Sequence, residues 1–454
     1  MGVELHRQFP FIDFVCSGEG DLNFPELAAT VLSERPLIEF DGIITRDAES
    51  ETVVPQRMVC PVEMMDWLPV PSFDDYFSQL QALGLEEKVE PVIPVETARG
   101  CWWGAKNHCT FCGLNGSTMS FRSKSPMRAL EEIEQLGRYG KEFLVTDNII
   151  DLKYLETVIP ALAERNSGHK FHYETKVNLR KRHLRLLAEA GVTNLQPGIE
   201  SLSTSVLKLM RKGCTFLQNI QFLKWSKQYG ITAIWNFLYG FPGEDPAEYE
   251  RVAELVPSLV HLRPPEICTA VRFDRFSPYF MQPESFGIRN RRSHYAYGCI
   301  YPFQEHELDN IAYYFNYDFD AKPVVESYAK PAVDAIADWQ NHDGEASLDA
   351  KLDGGELVIM DTRPGSPVTR HRLCGIDREI YLFCDESRSV AAIQQRFPET
   401  ERRDLQELLA RWIQHRLMLS EGNQYLALAV LRFEPQEQAR SYPMVAHSEL
   451  RILG

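Results

Sequence analysis

The chain has 454 residues, a formal net charge of −16, 44% hydrophobic and 25% charged residues, and ten cysteines. That is the composition of a globular protein long enough for roughly two to four domains, and no apolar run approaches the roughly 18 residues of a membrane span. The acidic balance argues against a nucleic-acid substrate, because proteins that grip phosphates usually carry a basic face. The opening "MGVELHRQFPFIDF" lacks the charged-then-apolar layout of a signal peptide. A cytoplasmic protein with reduced thiols is therefore expected, with no membrane partner and no disulfide framework.

In chain order, residues 1–85 contain "FPFIDFVCSGEGDLNFPELAATVL", which reads as strand, glycine turn and helix, a single α/β unit. Its "GEGD" is too short for a dinucleotide fingerprint. From about 91 to 273, short apolar runs alternate with helical stretches. Strands are expected at 92–97, 143–146, 171–175, 194–198, 233–240 and 267–273. The helix "SPMRALEEIEQLGRYG" starts with Ser125 as cap and Pro126 at its first position, with Met127, Leu130, Ile133 and Leu136 recurring on one face. "DPAEYERVAELVPSL" opens with Asp245 and Glu248 spaced as a capping box, and "FLQNIQFLKWSKQYG" stops at Gly230.

This alternation implies parallel strands with right-handed crossovers. About six such units fall short of a complete eight-fold barrel and suit a partial one, in which chemistry gathers at the strand ends. A cysteine loop follows the first strand. Asp147 and Asn148 follow the second, Glu174 and Lys176 stand at the third, Glu200 after the fourth, and Gly240, Pro242 and Gly243 after the fifth. Their coincidence at successive strand ends points to one active site. Each has an ordinary use as well: Asp and Asn cap helices and turns, Glu174 and Lys176 suit a rim salt bridge, Glu200 could cap a helix starting near Ser203, and glycine and proline make turns. Residues 86–305 are taken as the core domain and 306–345 as a linker or extension. Residues 346–454 read as a small winged-helix-like module of helices followed by a hairpin, with a tail.

The loop "ETARGCWWGAKNHCTFCGLNG" carries Cys101, Cys109 and Cys112, spaced C-x7-C-x2-C. A structural zinc site would need a fourth ligand, formally His108, which adjoins Cys109. A redox pair at Cys109 and Cys112 leaves Cys101 unused. A [4Fe–4S] cluster held by three thiolates uses all three and keeps one iron open. Trp102 and Trp103 either shield such a cluster or pack beneath the loop, and Tyr279 and Tyr301 are candidates for a substrate mouth.

With Phe111 just before the last cysteine, the sequence resembles the radical S-adenosylmethionine (SAM) superfamily. The commonest spacing there is C-x3-C-x2-C. The phrases "DNIID", "YETKVNL", "QPGIESLS", "LMRKG", "WNFLYGFPGE", "HLRPP", "RFSPYF" and "YLALAV" resemble one subgroup, which itself uses the seven-residue spacing: the cobalamin-dependent maturases of ribosomally made, post-translationally modified peptides. The resemblance implies a partial (β/α)6 TIM-like barrel with Cys101, Cys109 and Cys112 on the cluster. It also implies SAM contacts from Phe111, Asp147, Asn148, Glu174, Lys176, Glu200, Gly240, Pro242 and Gly243. It implies a precursor peptide as substrate, an electron donor such as flavodoxin or ferredoxin, and methylation of an unactivated carbon through a 5′-deoxyadenosyl radical. The first 32 residues resemble the last strand–helix unit of a Rossmann-like cobalamin-binding domain, so most of that domain is expected to be missing and cobalamin binding by this chain alone is in question.

Overall fold

The computed structural model describes residues 1–35, 40–47, 49–55, 57, 59, 61–114, 116, 119–319 and 324–432. Its centre is an all-parallel sheet whose strands follow chain order: β1 (Ile93–Val95), β2 (Glu142–Val145), β3 (Lys170–Thr175), β4 (Val192–Pro197) and β5 (Thr232–Ala233). A second parallel pair, β6 (Asn236–Tyr239) and β7 (Ile267–Ala270), joins it through a bridge between Glu200 and Phe237. The expected fifth strand is thus split. At the break Trp235 is buried, packs against Trp339 and donates its indole N–H to the Arg263 carbonyl at 3.1 Å.

When each strand neighbours the next and all crossovers share one hand, the helices gather on one face of the sheet. The side chains record this. Ile93, Phe143, Phe171 and Val192 lie in one cross-strand row and are all buried. The alternate row, Pro94, Leu144, His172, Asn194 and Thr232, is half-buried or exposed. Its openness explains why these strands alternate in polarity instead of reading as continuous apolar runs, the usual pattern for parallel sheets covered on both faces.

Helix α1 (Pro126–Leu136) is capped by Ser125 Oγ, which accepts the Arg128 N–H at 3.2 Å. The helix is rotated from the expected stripe. Ala129, Ile133 and Leu136 are buried while Met127 is 71% exposed, because Glu132 turns inward to pair with Lys124 at 2.6 Å. Helices α2 (Val158–Arg165) and α3 (Lys181–Glu189) follow β2 and β3. After β4 comes short α4 (Thr204–Leu209), then α5 (Phe216–Gln228), closed by a capping box between Thr215 and Gln218. The box expected at Asp245 does not form at α6 (Ala247–Leu255): Asp245 accepts the Ala247 N–H, but Glu248 turns to the Ser203 hydroxyl at 2.7 Å and to Arg251.

Three regions flank this core. At the N-terminal end the expected strand and helix appear as Val15–Cys16 and Asn23–Leu32. The strand takes an antiparallel neighbour, Ile43–Arg46, and Thr52–Val53 follows; a Rossmann-like unit would pair in parallel. The stretch 306–345, expected as a linker or extension, contains α7 (Val325–Asn341), whose Tyr328, Ala332, Ile336 and Trp339 are buried against the core. Residues 348–431 contain the expected helices, Val390–Arg396 and Arg402–Gln414, and the hairpin Met418–Glu421 with Gln424–Ala427, together with an unanticipated helix, Gly375–Phe383. A meander that was not anticipated precedes them: Leu348–Asp353, Glu356–Asp361 and Arg370–Leu373. The tail 433–454 lies outside the described residues. Among the described residues no helix is long and apolar enough to cross a membrane.

The C-terminal region is tied to the core through a buried charge cluster. Lys224 Nζ donates to the carbonyls of Asp385 (2.8 Å) and Ala427 (2.7 Å) and pairs with the Asp385 carboxylate at 2.8 Å, while Lys181 reaches its other oxygen at 2.6 Å. Burial opposes ionisation of Asp385, but the two ammonium groups hold it well below the usual carboxylate range. Removing one member of such a pair strands the others without water. Asp385→Ala is therefore expected to lower stability by about 3–5 kcal/mol, read from the urea unfolding midpoint, with Asp385→Asn losing less. An unchanged midpoint would mean that apolar contacts alone dock this region.

Candidate active site

The cysteine loop leaves β1 and returns to α1 through a two-stranded ribbon, Ala98–Arg99 with Arg122–Ser123. Asp147, at the end of β2, fixes its start. The carboxylate accepts the backbone N–H groups of Thr97 (2.7 Å) and Ala98 (2.8 Å) and the Thr97 hydroxyl. Inside the loop the Cys112 N–H meets the Cys109 carbonyl at 3.1 Å, and His108 Nε2 lies 2.9 Å from the Cys112 carbonyl. His108 is thus bonded back into its own loop. The two tryptophans pin the loop outward: Trp102 donates to the Ile150 carbonyl at 3.0 Å and Trp103 to that of Arg211 at 3.1 Å.

Cys101, Cys109 and Cys112 line one cavity of ≈ 190 Å³, together with Phe111, Asn148, Glu174, Lys176 and Glu200. Among the described residues no three His, Cys, Asp or Glu side chains form a group that could hold a single metal ion. The three thiols border the same space. Residues that sequence reasoning missed also line it: Gln196, Lys212, Trp235 and Asn236. Gln196 and Asn236 could have been found from strand alternation. Gln196 lies in register beside Glu174 on the face away from buried Tyr173 and Leu195.

Electrostatics in the cavity follow from burial and from close like and unlike charges. Burial pushes the Cys112 thiol up to about 12. Burial, then the nearby Glu200, raises Glu174. Lys176 is lowered to about 8 by burial and by Lys212; it donates to the Lys212 carbonyl and lies 3.8 Å from the centre of the Trp103 ring. That arrangement replaces the expected rim pair with Glu174. Glu200 does not cap α4, since Ser203 does so itself. Glu200 holds a left-handed backbone, φ 57°, uncommon for a side chain of this size, and pairs with Lys212 at 3.4 Å.

Several expected contacts stand elsewhere. Asp147 is behind the cavity, its oxygens taken by the loop it braces. Gly240, Pro242 and Gly243 do not line it. A Cβ on Gly240 would lie 2.9 Å from Val325 of α7, so the missing side chain makes room for a helix. Glu244, not singled out from sequence, holds this turn by accepting the Gly240 N–H at 2.8 Å and the hydroxyls of Tyr249 (2.6 Å) and Tyr328. Tyr279 is buried beneath the cysteine loop, its N–H on the Thr110 carbonyl, and Tyr301 packs on Phe303 and Phe9. A second cavity of ≈ 800 Å³ shares Asn148 with the first and runs between Ser17, Gly18 and Glu19 on one side and Arg99 and Thr146 on the other.

Residues 95–256, which include the three cysteines, Asn148, Glu174, Lys176, Gln196, Glu200 and Lys212, match the family model of the radical SAM superfamily. The chain carries a radical SAM domain. Such a domain implies a [4Fe–4S] cluster and SAM as cofactors. A Pyrococcus horikoshii protein named as an uncharacterized methyltransferase is 28% identical over 265 residues, 56% of this chain and 54% of that one. TokK of Streptomyces tokunonensis, named as a cobalamin-dependent radical SAM methyltransferase, is 28% identical over 179 residues, 38% of this chain and 25% of its own. The chain thus spans about half the length of the first relative and a quarter of the second. Among solved structures, the radical SAM methyltransferase TsrM from Kitasatospora setae, bound to tryptophan substrate and a SAM analog, superposes with a TM-score of 0.52 at 16% identity, covering 72% of this chain and 67% of that one. That likeness is one of fold.

The loop opposite the cysteines is held by an exact fit to Trp103. Gly213 has φ +67°, and a Cβ there would lie 2.1 Å from the indole edge. Gly213→Ala is expected to displace Trp103 and to cost about 1–3 kcal/mol through the left-handed backbone alone, seen as a lower thermal midpoint with red-shifted tryptophan emission. Wild-type melting and emission would show that the ring is not pinned there.

Proposed function

We propose that Cys101, Cys109 and Cys112 hold a [4Fe–4S] cluster with one iron left for SAM, and that the protein methylates an unactivated carbon of a ribosomally made peptide. One observation carries this: three thiols line one cavity at the ends of parallel strands, a donor set that holds a cubane and leaves one iron open. The engaged His108 ring supports the same choice. Bound there, the cluster and SAM supply a one-electron cleavage of the sulfonium carbon–sulfur bond, and cobalamin supplies the methyl carrier.

The chain's own groups have distinct tasks in this reading. Lys176, buried against Trp103, offers its ammonium to the SAM carboxylate. Glu174 and Gln196, side by side on β3 and β4, face the ribose hydroxyls, while Asn148 and Glu200 complete the wall. Phe111, packed edge-on to Phe241 at 5.8 Å, and Trp103 exclude water. The second cavity, walled by Ser17 and Gly18 on the N-terminal side and by Thr146 on the sheet side, has room beside the first for a corrinoid. The order of the parallel strands supports a partial (β/α)6 barrel over 86–305, and the helices and hairpin before residue 433 suit a winged-helix-like module; residues 1–85 would be a remnant of a cobalamin-binding domain plus linker, a reading the antiparallel pairing of its first strand does not favour. A peptide substrate is supported by the sequence phrases and by the edge position of Arg370–Leu373 in its sheet, a place where extended chains pair. A flavodoxin or ferredoxin in the cytoplasm would supply electrons.

Anaerobic reconstitution with iron and sulfide tests the assignment. The wild-type chain is expected to take up about four irons and four sulfides and to convert SAM to 5′-deoxyadenosine, and the variant with all three cysteines changed to alanine to do neither. A full cluster without SAM cleavage would sink the proposal. Added hydroxocobalamin is expected to co-elute with the chain through gel filtration. Loss of the corrinoid, with SAM cleavage intact, would favour radical chemistry on the peptide without methyl transfer.

A further inference from the structure

We propose that Lys212 sets the reduction equilibrium of the cluster: its buried ammonium in the cavity wall favours the reduced form. This rests on the cluster reading above and adds a task to a residue that reading does not use.

The backbone bends sharply on both sides of Lys212. Arg211 has φ +58° and Gly213 φ +67°, and a left-handed arginine is costly enough to need support from its surroundings. That support is present. Trp103 Nε1 holds the Arg211 carbonyl at 3.1 Å, and Lys176 donates to the carbonyl of Lys212 itself. The result is a side chain driven inward, only 9% exposed. Its Nζ reaches so deep that a Cβ on Gly198 would lie 2.6 Å away. The ammonium stands 5.8 Å from the centre of the Phe111 ring, which adjoins Cys112, and its charge acts on the Cys112 thiol. Glu200, at 3.4 Å, is its counter-ion.

A cubane of core charge 2+ on three thiolates carries −1, and one added electron makes it −2. The electron comes from an external low-potential donor, a reduced flavin or iron–sulfur protein, and the Glu200 carboxylate beside Lys212 favours its charged form. A fixed positive charge in a water-poor wall stabilises the more negative form, and Glu200 subtracts from that effect.

EPR-monitored redox titration of the reconstituted full chain without SAM, with dithionite as reductant, measures this. Lys212→Met is expected to shift the equilibrium at least about tenfold toward the oxidised cluster, about 59 mV for a one-electron couple. Lys212→Arg is expected to stay near wild type, and Glu200→Gln to shift the opposite way. Equal midpoints for Lys212→Met and wild type, both with full iron content, would overturn the proposal. So would a Lys212→Arg shift as large as that of Lys212→Met, which would mean that shape and not charge matters. If Lys212→Met fails to hold a cluster, the arginine and Glu200→Gln arms still decide. A wild-type chain that assembles no cluster takes down both readings, whereas SAM cleavage with unmoved potentials takes down this one alone.

Discussion

A buried carboxylate decides where the cysteine loop begins. Among the described residues no cation pairs with Asp147; three donors from Thr97 and Ala98 satisfy it instead. Burial pushes its acid up to about 7, against the pull of those donors. Losing the carboxylate would leave buried N–H groups unpaired, each costing about 1–3 kcal/mol. Because β1 and β2 are in register from Ile93 with Phe143 to Val95 with Val145, this tie sets the loop's exit against the next strand end. Asn148, one residue on, then lines the cavity. The same junction holds the loop's return, since the Lys124 N–H meets the Thr97 carbonyl at 2.9 Å and the Tyr154 hydroxyl sits 2.7 Å from the Lys124 carbonyl.

The ribbon above that junction carries an internal conflict. Arg99 and Arg122 lie directly opposite each other, and like charges in facing positions destabilise a strand pair. Glu19 resolves it by reaching both, Arg122 at 2.7 Å and Arg99 at 3.0 Å, while Asp21 and Glu96 take the rest of the Arg99 guanidinium at 2.7 and 2.8 Å. The short "GEGD" stretch is therefore an ionic clamp from the N-terminal unit onto the base of the cysteine loop. These ion pairs tie that unit to the loop.

The sequence made the strand–helix order legible because each element carries its own signal: Ser125 and Pro126 at a helix start, Gly230 past a helix end, polar residues at successive strand ends. The three thiols, Asn148, Glu174, Lys176 and Glu200 do meet in one cavity. What sequence could not supply was direction. Asp147 and Asn148 are neighbours, yet one faces the loop backbone and the other the cavity. Gly240 reads as a gap for a ligand and is filled by Val325, which lies 85 residues away. Lys212 was hidden because its inward course depends on two left-handed residues and an indole from a different loop. The packing of the stretch 306–345, read as a linker or extension, was hidden for a related reason. The helix face of α7 shows its purpose only when Trp339 is seen against Trp235.

The cavity is closed by loops, and loops placed inside a protein expose backbone polar groups that must be paired. Here four of the loops are each answered by one side chain. Asp147 takes two N–H groups of the first loop, Asn219 of α5 donates to the carbonyls of Ile199 (3.3 Å) and Ser201 (2.9 Å) on either side of Glu200, Trp103 takes the Arg211 carbonyl, and Glu244 takes the Gly240 N–H. Asn219 itself sits on a helix buried from both sides, with the sheet beneath and the region around Asp385 above. The docking of the C-terminal region through Lys224 thus bears on the same helix that holds the Glu200 loop. The shape of the cavity is set by these ties before any ligand enters, and its chemistry follows from which side chains the ties leave facing inward.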